Sequence, residues 1–230
     1  MRILLIEEER QVSGWLARAL GHEKYAVDSV FSAEDASHVL GTEEYSLVIL
    51  ELTGRTADHV NAVAALRSLD GTVPMIILSG DDSSEGRILG LNAGADDYMT
   101  LPFDMGELKA RIRVQLRRAN FHKEPIVRCG TLTFDSNSRR FTVDGETLEL
   151  TRREHAVLET LIFRAGTTIR KRALAMSIFG FDDEVHPNAV EVYIHRVRKK
   201  LRSSGVGIVT RRGLGYSLKD LSGIQFRSAG

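Results

Sequence analysis

Carboxylates at the ends of strand-like runs and a crowd of cations on one helix are the groups in this chain whose types and spacing support chemistry. Glu7 and Glu8 follow the run Arg2 to Ile6, Glu51 follows Ser46 to Leu50, Ser79 closes Met75 to Ser79, and Leu101 follows Asp96 to Thr100. Acidic groups gathered at strand ends suit a hard cation or phosphoryl chemistry. Toward the other end of the chain, Pro187 to Arg202 reads PNAVEVYIHRVRKKLR. Val190, Ile194, Val197 and Leu201 recur at helical spacing, the mark of a stripe buried against a core. His195, Arg196, Arg198, Lys199, Lys200 and Arg202 crowd the other side, and Pro187 suits a first helical position. Such a helix is built to approach something anionic; the alternative is an ordinary solvated face.

The elements that must position these groups fall into two halves. A chain of 230 residues is long enough for two domains of about 100 residues each. Residues 1–122 hold 12 Lys and Arg against 19 Asp and Glu, a net −7, while residues 123–230 hold 19 against 12, a net +7. That asymmetry favours a nucleic-acid partner for the basic half. No apolar run reaches bilayer length and the N-terminus lacks a signal-peptide pattern, so no membrane association and a cytoplasmic location are expected. Cys129 is the single cysteine, which excludes an intrachain disulfide and a cysteine-based zinc site.

In the first half, five strands (Arg2 to Ile6, Tyr25 to Val30, Ser46 to Leu50, Met75 to Ser79, Asp96 to Thr100) alternate with helices at Gln11 to Leu20, Ala33 to Leu40, Ala57 to Leu69, Ser84 to Ala93 and Asp104 to Arg118. Strands that are nearly all apolar are covered on both faces. This predicts an α/β doubly wound domain with a five-stranded parallel sheet, its crevice outside the carboxyl ends of the strands.

IEEER, VILEL, ILSGDD and GADDYMTLPF, with ELKARIR behind them, resemble response-regulator receiver domains of the OmpR/PhoB subfamily over roughly residues 1–120. The resemblance implies a phosphorylation pocket made of the acidic pair Glu7 and Glu8, the acceptor position Glu51, the hydroxyl Ser79 and position 101, with Tyr98 as the switching aromatic. It also implies a dimer face on which Arg87 with Glu107 and Asp97 with Arg111 match intermolecular ion pairs. Two positions depart from the family. Glutamate replaces the acceptor aspartate, moving the carboxylate by on the order of an ångström, an error that costs about a hundredfold in a positioned reaction. Leucine replaces the lysine that would meet the acyl phosphate. LTGRTAD after Glu51 also differs from the family's loop. The expectation is a degenerate pocket in which Glu51 reaches part-way toward the phosphoryl position, within hydrogen-bond reach of Ser79. No cofactor is required; Mg²⁺ on Glu7, Glu8 and Glu51 is left open.

In the second half, Val127 to Leu150 reads as short strands with an Asp144-Gly145 hairpin turn. Thr151 to Glu154 is a capping box opening a helix through Phe163, and a second helix runs from about Lys171 to Phe179. After the basic helix, Ser203-Ser204-Gly205 is a stop. GIVTRRGLGYSLK then makes a basic hairpin, so helix and hairpin describe a winged helix. LELTRREHAVLETL, VEVYIHRVRKKL and TRRGLGY resemble the OmpR/PhoB effector domain, an α+β winged helix-turn-helix. The resemblance implies that Tyr193, His195, Arg196, Arg198 and Lys199 approach the major groove, with Arg196 reading bases, Thr210 on phosphate and Arg212 in the minor groove. It further implies that Gly180 to His186 contacts RNA polymerase.

The expected layout is a receiver over 1–119, a linker over 120–125, a winged helix over 126–222 and a tail over 223–230. The expected function is a sequence-specific DNA-binding transcriptional regulator, not an enzyme, acting as a receiver-mediated homodimer without Asp phosphorylation. The alternatives are a regulator under a sensor kinase through a weakened pocket, and a metal-dependent phosphohydrolase tethered to DNA, both opposed by the missing lysine.

Overall fold

A run such as Ile3 to Ile6, apolar at every position, has to be covered on both sides, and the chain does this by alternating strands with helices. The computed structural model describes residues 1–7, 10–52, 56–120, 124–180, 188–202 and 204–222. The chain divides into two units, Met1–Lys123 and Glu124–Gly230.

The first unit runs β1 (Arg2–Glu7), α1 (Arg10–His22), β2 (Ala26–Val30), α2 (Ala33–Thr42), β3 (Leu47–Leu52), α3 (Thr56–Leu69), β4 (Met75–Ser79), α4 (Ser84–Asn92), β5 (Asp97–Thr100) and α5 (Met105–Ala119). Its strands are all parallel, in the order β2-β1-β3-β4-β5. The winding reverses at β1 and β3, which places the crevice of a doubly wound sheet at their carboxyl ends. On one face Leu4, Ile6, Val48, Leu50, Met75 and Ile77 pack with Ala36, Val39 and Leu40 of α2 and Val63 and Leu66 of α3. Ile3, Leu5, Leu47, Ile49, Ile76 and Leu78 alternate with these and are equally buried. Two strands run longer than the sequence predicts. β1 continues through Glu7 and β3 through Leu52, because the ladder adds the pairs Glu7↔Glu51, Glu51↔Leu78 and Leu52↔Ser79. Glu7 and Glu51 are therefore strand residues rather than loop residues.

The second unit opens with an antiparallel sheet of β6 (Ile126–Cys129), β7 (Leu132–Asp135), β8 (Arg140–Val143) and β9 (Glu146–Thr147). The expected turn between the last two has both Asp144 (φ 50°) and Gly145 (φ 86°) in the left-handed region, as a type I′ turn needs. Then follow α6 (Arg152–Ile162), α7 (Lys171–Ile178), α8 (Ala189–Lys200) and the hairpin β10 (Val206–Arg211) and β11 (Gly215–Asp220). The capping box on α6 is formed, Thr151 accepting from Glu154 N and Glu154 accepting from Thr151 N. α8 begins at Ala189, and Pro187 lies outside the described residues. The doubly wound five-stranded domain and the winged helix expected from the sequence are both observed. Among the described residues no helix is long and apolar enough to cross a membrane.

Beneath the second unit's sheet lies a polar group in an apolar setting. His155 of α6 is buried edge-on against Phe134 and Phe141, with Nε2 at 2.9 Å from Arg139 O. Arg139 donates two hydrogen bonds to the buried carboxylate of Glu159, at 2.7 and 3.0 Å. Burial raises the Glu159 carboxyl, and the Arg139 charge overrides it, holding it far below the usual range. Burial is the largest influence on His155 and pushes its imidazole from 6.5 down to about 4, against the pull of Glu159.

As pH falls from 6.5 toward 4, the unfolded chain takes up a proton on His155 that the folded state refuses, so stability declines through that window and not above it. The loss approaches about 3 kcal/mol at the acid end. His155→Phe keeps the aromatic packing and removes the proton site. Thermal unfolding of both proteins at neutral pH and at about pH 4.5 should show the variant gaining on the wild type as the solution is acidified; a difference independent of pH would refute this account of His155.

Candidate acidic pocket and nucleic-acid interface

At the carboxyl end of the sheet, Glu7 closes β1 and Glu51 lies one residue from the end of β3, and the two are register partners. Partners in adjacent parallel strands are about 4.8 Å apart and point to the same face, so two carboxylates stand side by side. Glu7 is fully buried and Glu51 half-buried. Like charges at that range repel strongly once removed from water. Two hard oxygen donors match what Mg²⁺, which keeps most of its water, takes from protein. Among the described residues no group of three or more ligating side chains forms a cation site; Glu8 lies outside them.

Ser79 sits at the end of β4, where the register sets it opposite Leu52. Its hydroxyl accepts from Asp81 N at 3.1 Å. Tyr98 of β5 is only 8% exposed, and its hydroxyl donates to Asp81 O at 2.8 Å. The hydroxyl and the aromatic therefore meet through the backbone of one residue. Gly90 makes room for this: a Cβ there would come within 3.3 Å of the Tyr98 ring and 2.9 Å of Ile77. Leu101 contributes a backbone N–H to Ser79 O at 2.8 Å and a half-buried hydrocarbon side chain, with no charge to offer a phosphoryl group.

The four residues expected on a dimer face line one cavity of about 460 Å³ together with Tyr98 and Phe103. Within the single chain, Arg111 donates to Asp97 at 2.8 Å and to Glu107 at 2.6 Å. Hydrogen bonding to Glu107, then to Asp97, raises the Arg111 pKa further. Beside the cavity α4 exposes Ile88, Leu89 and Leu91.

In the second unit, Val190, Ile194, Val197 and Leu201 are buried as their spacing predicts. Their burial turns Val192, His195, Arg196 and Lys199 outward, an i, i+3, i+4, i+7 stripe on one side of α8. Val192 is 45% exposed and was not foreseen as a surface residue of this stripe. The signal was present, since it falls outside the buried set and one turn before His195 and Arg196. The cations do not all face outward unencumbered. Arg198 donates from Nε to Ile208 O at 2.9 Å and from Nη2 to Thr210 Oγ1 at 2.6 Å, so it and Thr210 fasten α8 to the hairpin. Lys200 bonds Glu149 O and the carboxylate of Glu154 at 2.8 Å, tying α8 to the capped end of α6. Tyr193 is half-buried, accepting from Arg153 of α6. Arg211 and Arg212 are exposed at the hairpin tip, beside Gly213 and Gly215. Gly215 has to be glycine: its φ is 137°, and a Cβ would meet Ile169 O at 1.9 Å. Phe181 to Pro187, which holds most of the expected polymerase-contacting loop, lies outside the described residues.

A family model described as the response regulator receiver domain matches residues 3–113. A second, described as the C-terminal part of transcriptional regulatory proteins, matches residues 145–218. The chain is 40% identical over 219 residues to the transcriptional regulatory protein TctD of Salmonella typhimurium, covering 95% of this chain and 97% of that one. It is 38% identical over 218 residues to the transcriptional regulatory protein BasR of Escherichia coli, with the same coverage. To the response regulator protein PmrA of Pseudomonas aeruginosa it is 33% identical, covering 95% and 98%.

The different engagements of Arg198 and Lys199 give them separable effects. Arg198→Ala should lower thermal stability by about 1 to 3 kcal/mol, since it frees Ile208 O and Thr210. Lys199→Ala should leave stability unchanged and reduce the slope of log affinity against log salt for duplex DNA by about one. Thermal unfolding and salt-dependent anisotropy titrations measure both; equal stability losses would mean that Arg198 is not the fastener.

Proposed function

The chain belongs to the OmpR/PhoB-type response regulators, DNA-binding transcriptional regulators in which a receiver domain precedes a winged helix, and from that premise we propose that it acts on DNA as a homodimer without phosphorylation of its receiver. The observation that carries this reading is glutamate at position 51, near the end of β3 and in register with Glu7, together with leucine at position 101. Phosphoryl transfer relies on a positioned nucleophile and on fixed cations that meet the developing charge. Here the nucleophile position carries a longer side chain, and the cation is absent from its place in the motif.

On this reading residues 1–119 regulate and dimerise, 120–125 link, and 126–222 bind DNA. The cavity lined by Arg87, Asp97, Glu107 and Arg111, with Ile88 and Leu91 exposed nearby, is the two-fold contact, in which Glu107 and Asp97 exchange Arg111 for partners across the interface. Arg196 reads bases, Lys199 and Arg212 meet the DNA backbone and minor groove, and the loop before α8 is the place for RNA polymerase. The protein works in the cytoplasm and has no catalytic turnover of its own.

A conventional kinase-controlled switch is the second reading, favoured by the intact link from Ser79 through Asp81 to Tyr98. Incubation with acetyl phosphate and Mg²⁺ followed by intact-mass measurement separates the two. The expected result is no added phosphoryl group on the wild-type protein, with the unmodified protein occupying both half-sites of a duplex spaced by about one helical turn. Labelling at Glu51, or occupancy of both half-sites only after a phosphodonor, would establish the kinase-controlled switch instead. The double variant Glu51→Asp, Leu101→Lys restores both nucleophile and cation and should gain Mg²⁺-dependent labelling that neither single variant shows.

A further inference from the structure

Arg196 is exposed on α8, and a guanidinium on four rotatable bonds would ordinarily have to be ordered at the moment of binding, at a cost in affinity and discrimination. In this chain it is not left to itself. Its guanidinium carbon lies 5.6 Å from the centre of the Tyr193 ring, within the range of a cation–π contact. Tyr193 is in turn fixed from two directions. Its hydroxyl accepts a hydrogen bond from Nη1 of Arg153 at 3.2 Å, and its ring lies 6.0 Å from that of Phe179, the buried residue that ends α7. Arg153 stacks over Phe179 at 5.0 Å and is itself held at the start of α6, next to Glu154 of the capping box. The chain of contacts runs from a capped helix terminus, through an arginine and a tyrosine, to the side chain assigned to the bases.

We propose that Arg153 and Tyr193 are positioning residues for Arg196, so that base discrimination by α8 depends on a residue of α6. This rests on the assignment of Arg196 to base reading made above. The hydrogen bond at the Tyr193 hydroxyl fixes the rotation of the ring, and the fixed ring offers its face to Arg196. Arg153 is itself half-buried under this arrangement and stands outside the exposed stripe of α8. Its influence on sequence preference is therefore exerted through Tyr193 rather than through contact with a base.

A residue that merely packs would affect stability, and specific and nonspecific binding together. A positioning residue weakens specific binding more than nonspecific binding, and that difference exists only while Arg196 is present. The test measures affinity for the preferred duplex and for a scrambled duplex, with thermal stability, in full-length protein carrying Tyr193→Phe, Tyr193→Leu, Arg153→Met and Arg196→Ala, and in the combination of Tyr193→Leu with Arg196→Ala. Tyr193→Leu should lower affinity for the preferred duplex by roughly tenfold and affinity for the scrambled duplex by clearly less. Tyr193→Phe, which keeps the ring and loses its anchor, should fall between it and the wild type, and Arg153→Met should resemble Tyr193→Phe. In the Arg196→Ala background Tyr193→Leu should have no further effect. If its effect persists there, or if specific and scrambled binding fall equally, the positioning role is refuted while base reading by Arg196 stands. If Arg196→Ala itself leaves discrimination intact, base reading falls and the positioning role falls with it. Should Tyr193→Leu fail to fold, Tyr193→Phe and Arg153→Met decide the matter by the same comparison.

Discussion

The burial of Val190, Ile194, Val197 and Leu201 is the constraint on which the working surface of the second unit depends. Each such side chain contributes about 1.5 to 3 kcal/mol when removed from water, so together they outweigh any single polar contact of the helix. Successive residues of a helix are 100° apart, and seating this stripe leaves α8 one rotation about its axis. Val192, His195, Arg196 and Lys199 then face outward without any instruction of their own. The polar ties of Arg198 to the hairpin and of Lys200 to α6 refine a helix already oriented by its apolar side.

The first unit is governed by a different constraint, the register of its parallel ladder. Moving β3 by one residue against β1 would send its side chains to the other face and separate Glu51 from Glu7. The apolar residues that precede them forbid that shift, because Val48 and Leu50 would leave one core and Leu47 and Ile49 the other. Two carboxyl groups are thus held together by hydrophobic packing several residues away, although two like charges on them would repel one another. Such local conflict inside an otherwise consistent domain is where functional specialisation is expected.

His155 is a second conflict, placed in a core instead of at a site. Its ring packs edge-on, like a phenylalanine, against the stacked pair Phe134 and Phe141, while its nitrogens face a main-chain carbonyl and the Arg139–Glu159 pair. The pair keeps its charges because each neutralises the other with two good hydrogen bonds, and the imidazole between aromatic faces and that pair is kept neutral.

The order and type of the elements, the doubly wound sheet with helices on both faces, the capping box at Thr151, the turn at Asp144-Gly145, the buried stripe of α8 and the division of charge between the halves were all legible in the sequence alone. Periodicity, caps and turn chemistry act over a few residues along the chain, so they can be read where they are written. The sequence did not determine where β1 and β3 would stop, since a ladder continues as long as its neighbour offers partners. Nor did it determine which polar groups would meet. The Ser79 hydroxyl accepts from Asp81 N, Arg198 turned to Thr210 twelve residues on, and Arg153 reached Tyr193 forty residues away. A side chain with several donors has many acceptable partners in a list of residues, and only the packing of whole elements brings one of them to within three ångströms or so.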